Sequence, residues 1–109
     1  MRHALIALAA TAAAMGFAAG AAAQSALDDT QKLGRALFNQ SCRVCHEKPQ
    51  MTSSVYGPLL SKESLGGQAD VMREVIGNGT PRMPGFKYHF EPAQIDAIVQ
   101  YLKTVPKQP

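Results

Sequence analysis

Residues 41–48 read Ser-Cys-Arg-Val-Cys-His-Glu-Lys, and they hold the only two cysteines of the chain. The thiols are three residues apart, and His46 directly follows the second. Four chemistries suit such a pair. A zinc site needs four ligands, or three and a water. Cys42, Cys45, His46 and His89 make four, but the gap to His89 fits no common zinc pattern. A thioredoxin-like redox pair belongs in a strand–helix–strand setting, and no segment here alternates as a strand should. A disulfide is open to an exported chain, yet it gives no role to His46. Covalent haem attachment is the standing reading of C-x-x-C-H. On one helical turn Cys42 and Cys45 project to the same side, placed to bond the two vinyl groups along one edge of the ring. His46, on the same turn, then reaches the iron.

The rest of the chain sharpens the choice. Its 109 residues make one small domain at most. Met1-Arg2-His3 is a short basic start, Ala4–Ala19 is apolar and uncharged, and Ala21-Ala22-Ala23 offers small residues for cleavage. A secretory signal over 1–23, removed before Gln24, is the expectation. The alternative is an uncleaved anchor, since Ala4–Leu27 is long enough to span a bilayer; only then would a membrane be a partner. The domain is expected over 24–109, and the exported chain would be periplasmic. Loss of Arg2 lowers the 11 basic residues to 10 against 8 acidic ones, a charge of about +2 with histidine neutral. That is too small to argue for nucleic acid. A domain this short has trouble burying enough apolar surface alone, and it has no tryptophan and at most one disulfide. A large cofactor inside it answers that difficulty.

Three helical stretches are predicted. The first covers about Asp29–Ser41, with Asp28 and Asp29 at its positive end and Leu33, Gly34, Leu37, Phe38 and Cys42 at helical spacing. Gly34, about 1 kcal/mol worse than alanine inside a helix, suggests a close crossing. The second covers about Gln68–Ile76, with Val71, Met72, Val75 and Ile76 as its stripe and Gly77 or Asn78 as its left-handed cap. The third covers about Pro92–Thr104, with Ile95, Ile98, Val99 and Leu102 on one face. The residue before Pro92 is Glu91 rather than a usual cap. The fold class is therefore all-α: about three main helices, with long loops over 47–67 and 77–91 wrapped around a ligand.

Four stretches in order, "GRALFNQSCRVCH" (34–46), "YGPLL" (56–60), "GTPRMPGF" (79–86) and "IDAIVQYLK" (95–103), resemble those of class I, mitochondrial-type bacterial cytochromes c. The resemblance spans Leu33–Leu102. It implies the small cytochrome c fold around one covalently bound haem c, with Cys42 and Cys45 as attachment points and His46 and Met83 as iron ligands. It also implies that the Pro58 carbonyl accepts the His46 N–H, a bond that fixes the tautomer and raises imidazole basicity. Tyr101 is expected beside Gly34, and Leu59 or Leu60 over the ring. Tyr56, Phe86 and Phe90 are expected around the porphyrin, Tyr88 there or on a propionate, and Arg82 on a propionate or in solvent. His89 is expected at the surface or on a propionate, and is the rival for the Met83 place; Met51 follows His46 too closely, and Met72 reads as core. With both axial places filled, the implied role is a one-electron carrier rather than an enzyme. It would pass electrons between a periplasmic dehydrogenase or respiratory complex and a terminal acceptor. Redox partners would dock transiently at the exposed haem edge, near Arg43, Val44 and the Met83 loop. The alternatives are a haem-c sensor or small peroxidase with an open sixth position, a dedicated electron-transfer subunit of a dehydrogenase, and a haem-free thiol oxidoreductase.

Overall fold

Asp28 starts the first helix as its chemistry dictates. Its carboxylate accepts the Gln31 N–H at 2.8 Å, and its own N–H donates to Gln31 Oε1 at 3.0 Å, a reciprocal capping box. Helix α1 follows over Asp29–Ser41. The computed structural model describes residues 26–47 and 55–109. The expected signal segment, residues 1–23, and Met51 lie outside the described residues. After α1 come the short helix α2 (Arg43–His46), a 3-10 turn (Ser64–Gly67), α3 (Ala69–Asn78) and α4 (Pro92–Leu102). The one β pairing among the described residues is an isolated bridge between Thr80 and Met83. The chain is all-α, as its spacing predicts.

The core forms where α1 crosses α4. A Cβ on Gly34 would lie 1.8 Å from the Ala97 carbonyl oxygen and 2.9 Å from Tyr101 Cβ. Glycine is what lets the two backbones touch. Phe38 packs beside that crossing with its ring centroid 5.6 Å from that of Tyr101. The α4 stripe of Ile95, Ile98, Val99 and Leu102 is buried as expected. Leu33 is not part of the seam; it is 46% exposed. It sits one residue, about 100°, round the helix from Gly34, outside the arc that Gly34, Leu37, Phe38 and Cys42 define.

Two helix ends differ from the sequence reading. Helix α3 runs to Asn78, with Gly77 inside it, and Gly79 takes the positive φ of 74°. The loop beyond folds back onto the last turn: Phe86 N–H donates to the Ile76 carbonyl at 2.9 Å and Lys87 N–H to that of Gly77 at 3.1 Å. These bonds serve the free carbonyls of the helix end, so no left-handed residue is needed at Gly77 or Asn78. Helix α4 ends at Leu102, and Thr104 belongs to the turn after it. At its start Glu91 N–H donates to Gln94 Oε1 at 2.8 Å, which answers the missing Ser or Asp cap. Beyond α4 the chain turns back along the segment after Pro58, where Lys62 N–H donates to the Val105 carbonyl at 2.8 Å.

Candidate functional site

The end of α1 becomes the motif turn without a break. Cys42 N–H donates to the Phe38 carbonyl at 2.8 Å, and the Cys42 carbonyl accepts the N–H groups of both Cys45 and His46 at 3.1 Å. The whole C-x-x-C-H stretch is thus one helical turn. Arg43 pairs with Glu47 along its outside, and Val44 is 85% exposed. The two thiols are not joined. Cys45 is half-buried and faces a cavity; Cys42 packs in the core among Leu37, Phe38 and their neighbours. Burial, with a smaller push from Cys45, moves the Cys42 thiol up to about 11.

The cavity measures about 670 Å³, within the range of cofactor sites. Three stretches wall it. The first carries Cys45 and His46. The second runs through Tyr56 to Leu60. The third, from Thr80 to Pro84, contains Met83. Met72, Ile76 and Leu102 add apolar surface from the core.

The second stretch clamps the histidine. Gly57 N–H donates to the Cys45 carbonyl at 2.8 Å. His46 Nδ1 lies 2.7 Å from the Pro58 carbonyl oxygen. A carbonyl only accepts, so Nδ1 carries the proton and Nε2 carries a lone pair free for a metal. A Cβ on Gly57 would meet the imidazole at 2.7–2.8 Å, so glycine is required against the ring.

The third stretch is a tight turn held by its own backbone. Thr80 N–H donates to the Met83 carbonyl at 2.9 Å and Met83 N–H to that of Thr80 at 3.1 Å. Two glycines press this turn onto the end of α3. A Cβ on Gly79 would lie 2.4 Å from the Met83 carbonyl oxygen, and one on Gly85 would lie 2.7 Å from the Asn78 and Gly77 carbonyls. Pro81 and Pro84 restrict the remaining torsions. The turn therefore has little freedom to move the thioether.

Cys45, His46, Pro58 and Met83 come together on one cavity, with Cys42 packed behind it. His89 is exposed and off the wall, against Phe86 and Phe90. Phe86 and Phe90 stack on each other at 5.7 Å instead of lining the cavity, and Tyr88 is 94% exposed. His89 at the surface agrees with the sequence reading, while the positions of Phe86, Phe90 and Tyr88 correct it: the aromatic cluster stays outside the wall because the Phe86 and Lys87 backbone bonds turn the chain there onto α3. Tyr56, Leu59, Leu60 and Arg82 do line the cavity, and Met72 is both core and wall. Among the described residues no three His, Cys, Asp or Glu side chains gather as a metal-binding group, so the zinc alternative finds no ligand set.

Sequence reasoning missed three features. Leu65, on the wall, has a φ of +52° ahead of two positive-φ glycines. Ser61 is buried, its N–H donating to Ser64 Oγ at 2.9 Å and its hydroxyl accepting the Glu63 N–H at 3.2 Å. Arg82 lies over the Tyr56 ring, 5.4 Å from its centroid. Only the Gly66-Gly67 pair signalled the first.

An apolar cavity, a free thiol on its wall, an imidazole presenting Nε2 and a thioether on a stiff turn define a small helical protein built to hold one haem c. Comparison with known proteins agrees. The family described as "Cytochrome C oxidase, cbb3-type, subunit III" matches residues 29–102, and the chain belongs to this family of c-type cytochromes, as a class I monohaem member. It is also similar to a cytochrome c-553-like protein of Synechocystis sp., with 32% identity over 73 residues, which are 66% of this chain and 66% of that protein. The chain thus spans just under two thirds of that relative's length. The cofactor of this family is covalently bound haem c with its iron, and the residues present fit it.

Proposed function

We propose that the protein is an exported, periplasmic one-electron carrier in which Cys42 and Cys45 bear the haem through thioethers. His46 and Met83 are then the axial ligands. When bound, the haem iron supplies a reversible couple between Fe(II) and Fe(III). The chain's own residues do the rest. His46 and Met83 would hold the iron between them, and a group held from both sides by the chain would carry electrons rather than bind a substrate. The Pro58 carbonyl fixes the His46 tautomer. A thioether opposite imidazole favours the reduced state more than a second imidazole would. Leu59, Leu60, Met72 and Ile76 give the cavity apolar surface against which the ring would pack. The stiff turns around both ligands limit rearrangement when the charge changes.

The observation that carries this reading is the shared cavity of Cys45, His46 and Met83, with His89 off its wall. Redox proteins would dock over small areas on the surface bearing Arg43, Val44 and the Met83 turn. A second reading has support in the family description, which names an oxidase subunit: the chain serves within or beside one respiratory complex rather than as a free shuttle. Among the described residues no helix is long and apolar enough to cross a membrane.

Intact-mass measurement of the exported protein, followed by an optical redox titration, tests the proposal. The expected outcome is one haem adduct and a single reversible one-electron wave. Met83→Ala should keep the adduct, lower the potential and admit carbon monoxide to the ferrous iron. An unchanged potential in that variant would remove Met83 from the ligand set. Carbon monoxide bound by the unaltered protein would favour a sensor or peroxidase.

A further inference from the structure

We propose that Arg82 and Tyr56 form a latch over the haem cavity, tying the segment that clamps His46 to the turn that presents Met83. The inference rests on the proposed Met83 ligation and asks what keeps that ligand in place.

Tyr56 directly precedes Gly57 and Pro58, which grip the imidazole. Arg82 directly precedes Met83. Both side chains line the cavity, and the Arg82 guanidinium carbon lies 5.4 Å from the Tyr56 centroid, within cation–π range. The Tyr56 ring is 63% exposed, so it is held at the surface and not by the core. Apart from this contact, the Met83 turn is fastened to α3 through Gly79, Gly85 and the Phe86 and Lys87 N–H groups. Those fastenings all lie on the α3 side. Among the described residues, the Arg82–Tyr56 contact joins the turn to the histidine segment. Arg82 and Tyr56 are therefore positioning residues for Met83: their contact stabilises the closed arrangement that any outside ligand for the iron must first open. Arginine suits the task because its planar guanidinium stacks on an aromatic face.

The test uses the ferric holoprotein and imidazole as the entering ligand, followed optically. Tyr56→Leu and Arg82→Gln should each tighten imidazole binding about two- to fivefold, the scale of an exposed cation–π contact. Tyr56→Phe, which keeps the ring face, should behave as the unaltered protein, and Arg82→Lys should fall between. The Tyr56→Leu, Arg82→Gln double variant should match the single variants, since one contact is lost only once. Unchanged affinity in both single variants overturns the latch, as does full additivity in the double variant. The long-wavelength charge-transfer band of thioether-ligated ferric haem keeps the two readings apart. Its absence from the unaltered protein overturns Met83 ligation and the latch together. Its presence, with indifferent variants, overturns the latch alone.

Discussion

A single hydrogen atom at Gly57 decides how close the backbone comes to the imidazole. Gly57→Ala puts a methyl group within 2.7 Å of His46 Cε1, so the ring must swing away from the Pro58 carbonyl. The imidazole then loses the acceptor that raises its basicity. A less basic ligand stabilises the oxidised iron less, and the reduction potential should rise; voltammetry of the variant beside the unaltered protein checks the sign. The thiols give a second test at this scale. With both cysteines in thioethers, iodoacetamide under denaturing conditions should add no mass, whereas a haem-free thiol oxidoreductase would take two alkyl groups after reduction. Cys42, Cys45 and His46 were legible in the sequence because their spacing is fixed by one turn, whereas Met83 was legible only through the resemblance of the loop around it. The Arg82–Tyr56 contact was not, since it joins residues 26 positions apart through a meeting that no periodicity encodes.

Among the elements, the α1–α4 crossing is where one extra carbon matters most. Gly34→Ala gains about 1 kcal/mol of helix propensity but meets the Ala97 carbonyl at 1.8 Å. Forced overpacking of this kind typically loses about 1–3 kcal/mol, and the net result should be a lower thermal midpoint by calorimetry. Asp28→Ala removes the capping box and should destabilise the protein by about 1 kcal/mol, with little effect on the optical spectrum. The contrast between the two separates the seam from a free helix end. Helix positions were readable because the apolar stripes of α1 and α4 repeat at 3.6 residues. The end of α3 was misjudged for a physical reason. Gly77 and Gly79 are both good stops by residue type, and the choice fell to Phe86 and Lys87, whose N–H groups arrive from ten residues further along the chain. Likewise Phe86 and Phe90 have the composition of ring-packing residues, and only the path of that loop turns them onto each other.

For the molecule as a whole, the cavity of about 670 Å³ sits inside a domain too short to bury a generous core. The ring is therefore part of the hydrophobic interior and not a passenger. Cys42→Ser combined with Cys45→Ser should yield a chain without a cooperative thermal transition, read by circular dichroism, while Met83→Ala should keep one. The expectation that something large fills the interior came from the length and composition of the chain. Which segments wall the space was legible only in part, because the approach of Lys62 to Val105 and the left-handed Leu65 depend on distant backbone.

The burial of Cys42 has a consequence for biosynthesis. In the docked arrangement its sulfur lies in the core and its proton is held up to about 11, so it is both out of reach and poorly nucleophilic. A chain that closed first would shut out the group it needs. With attachment at Cys42 and Cys45 as proposed, ring joining must come before folding, and any cell making this protein has to keep the new polypeptide open until that step is done.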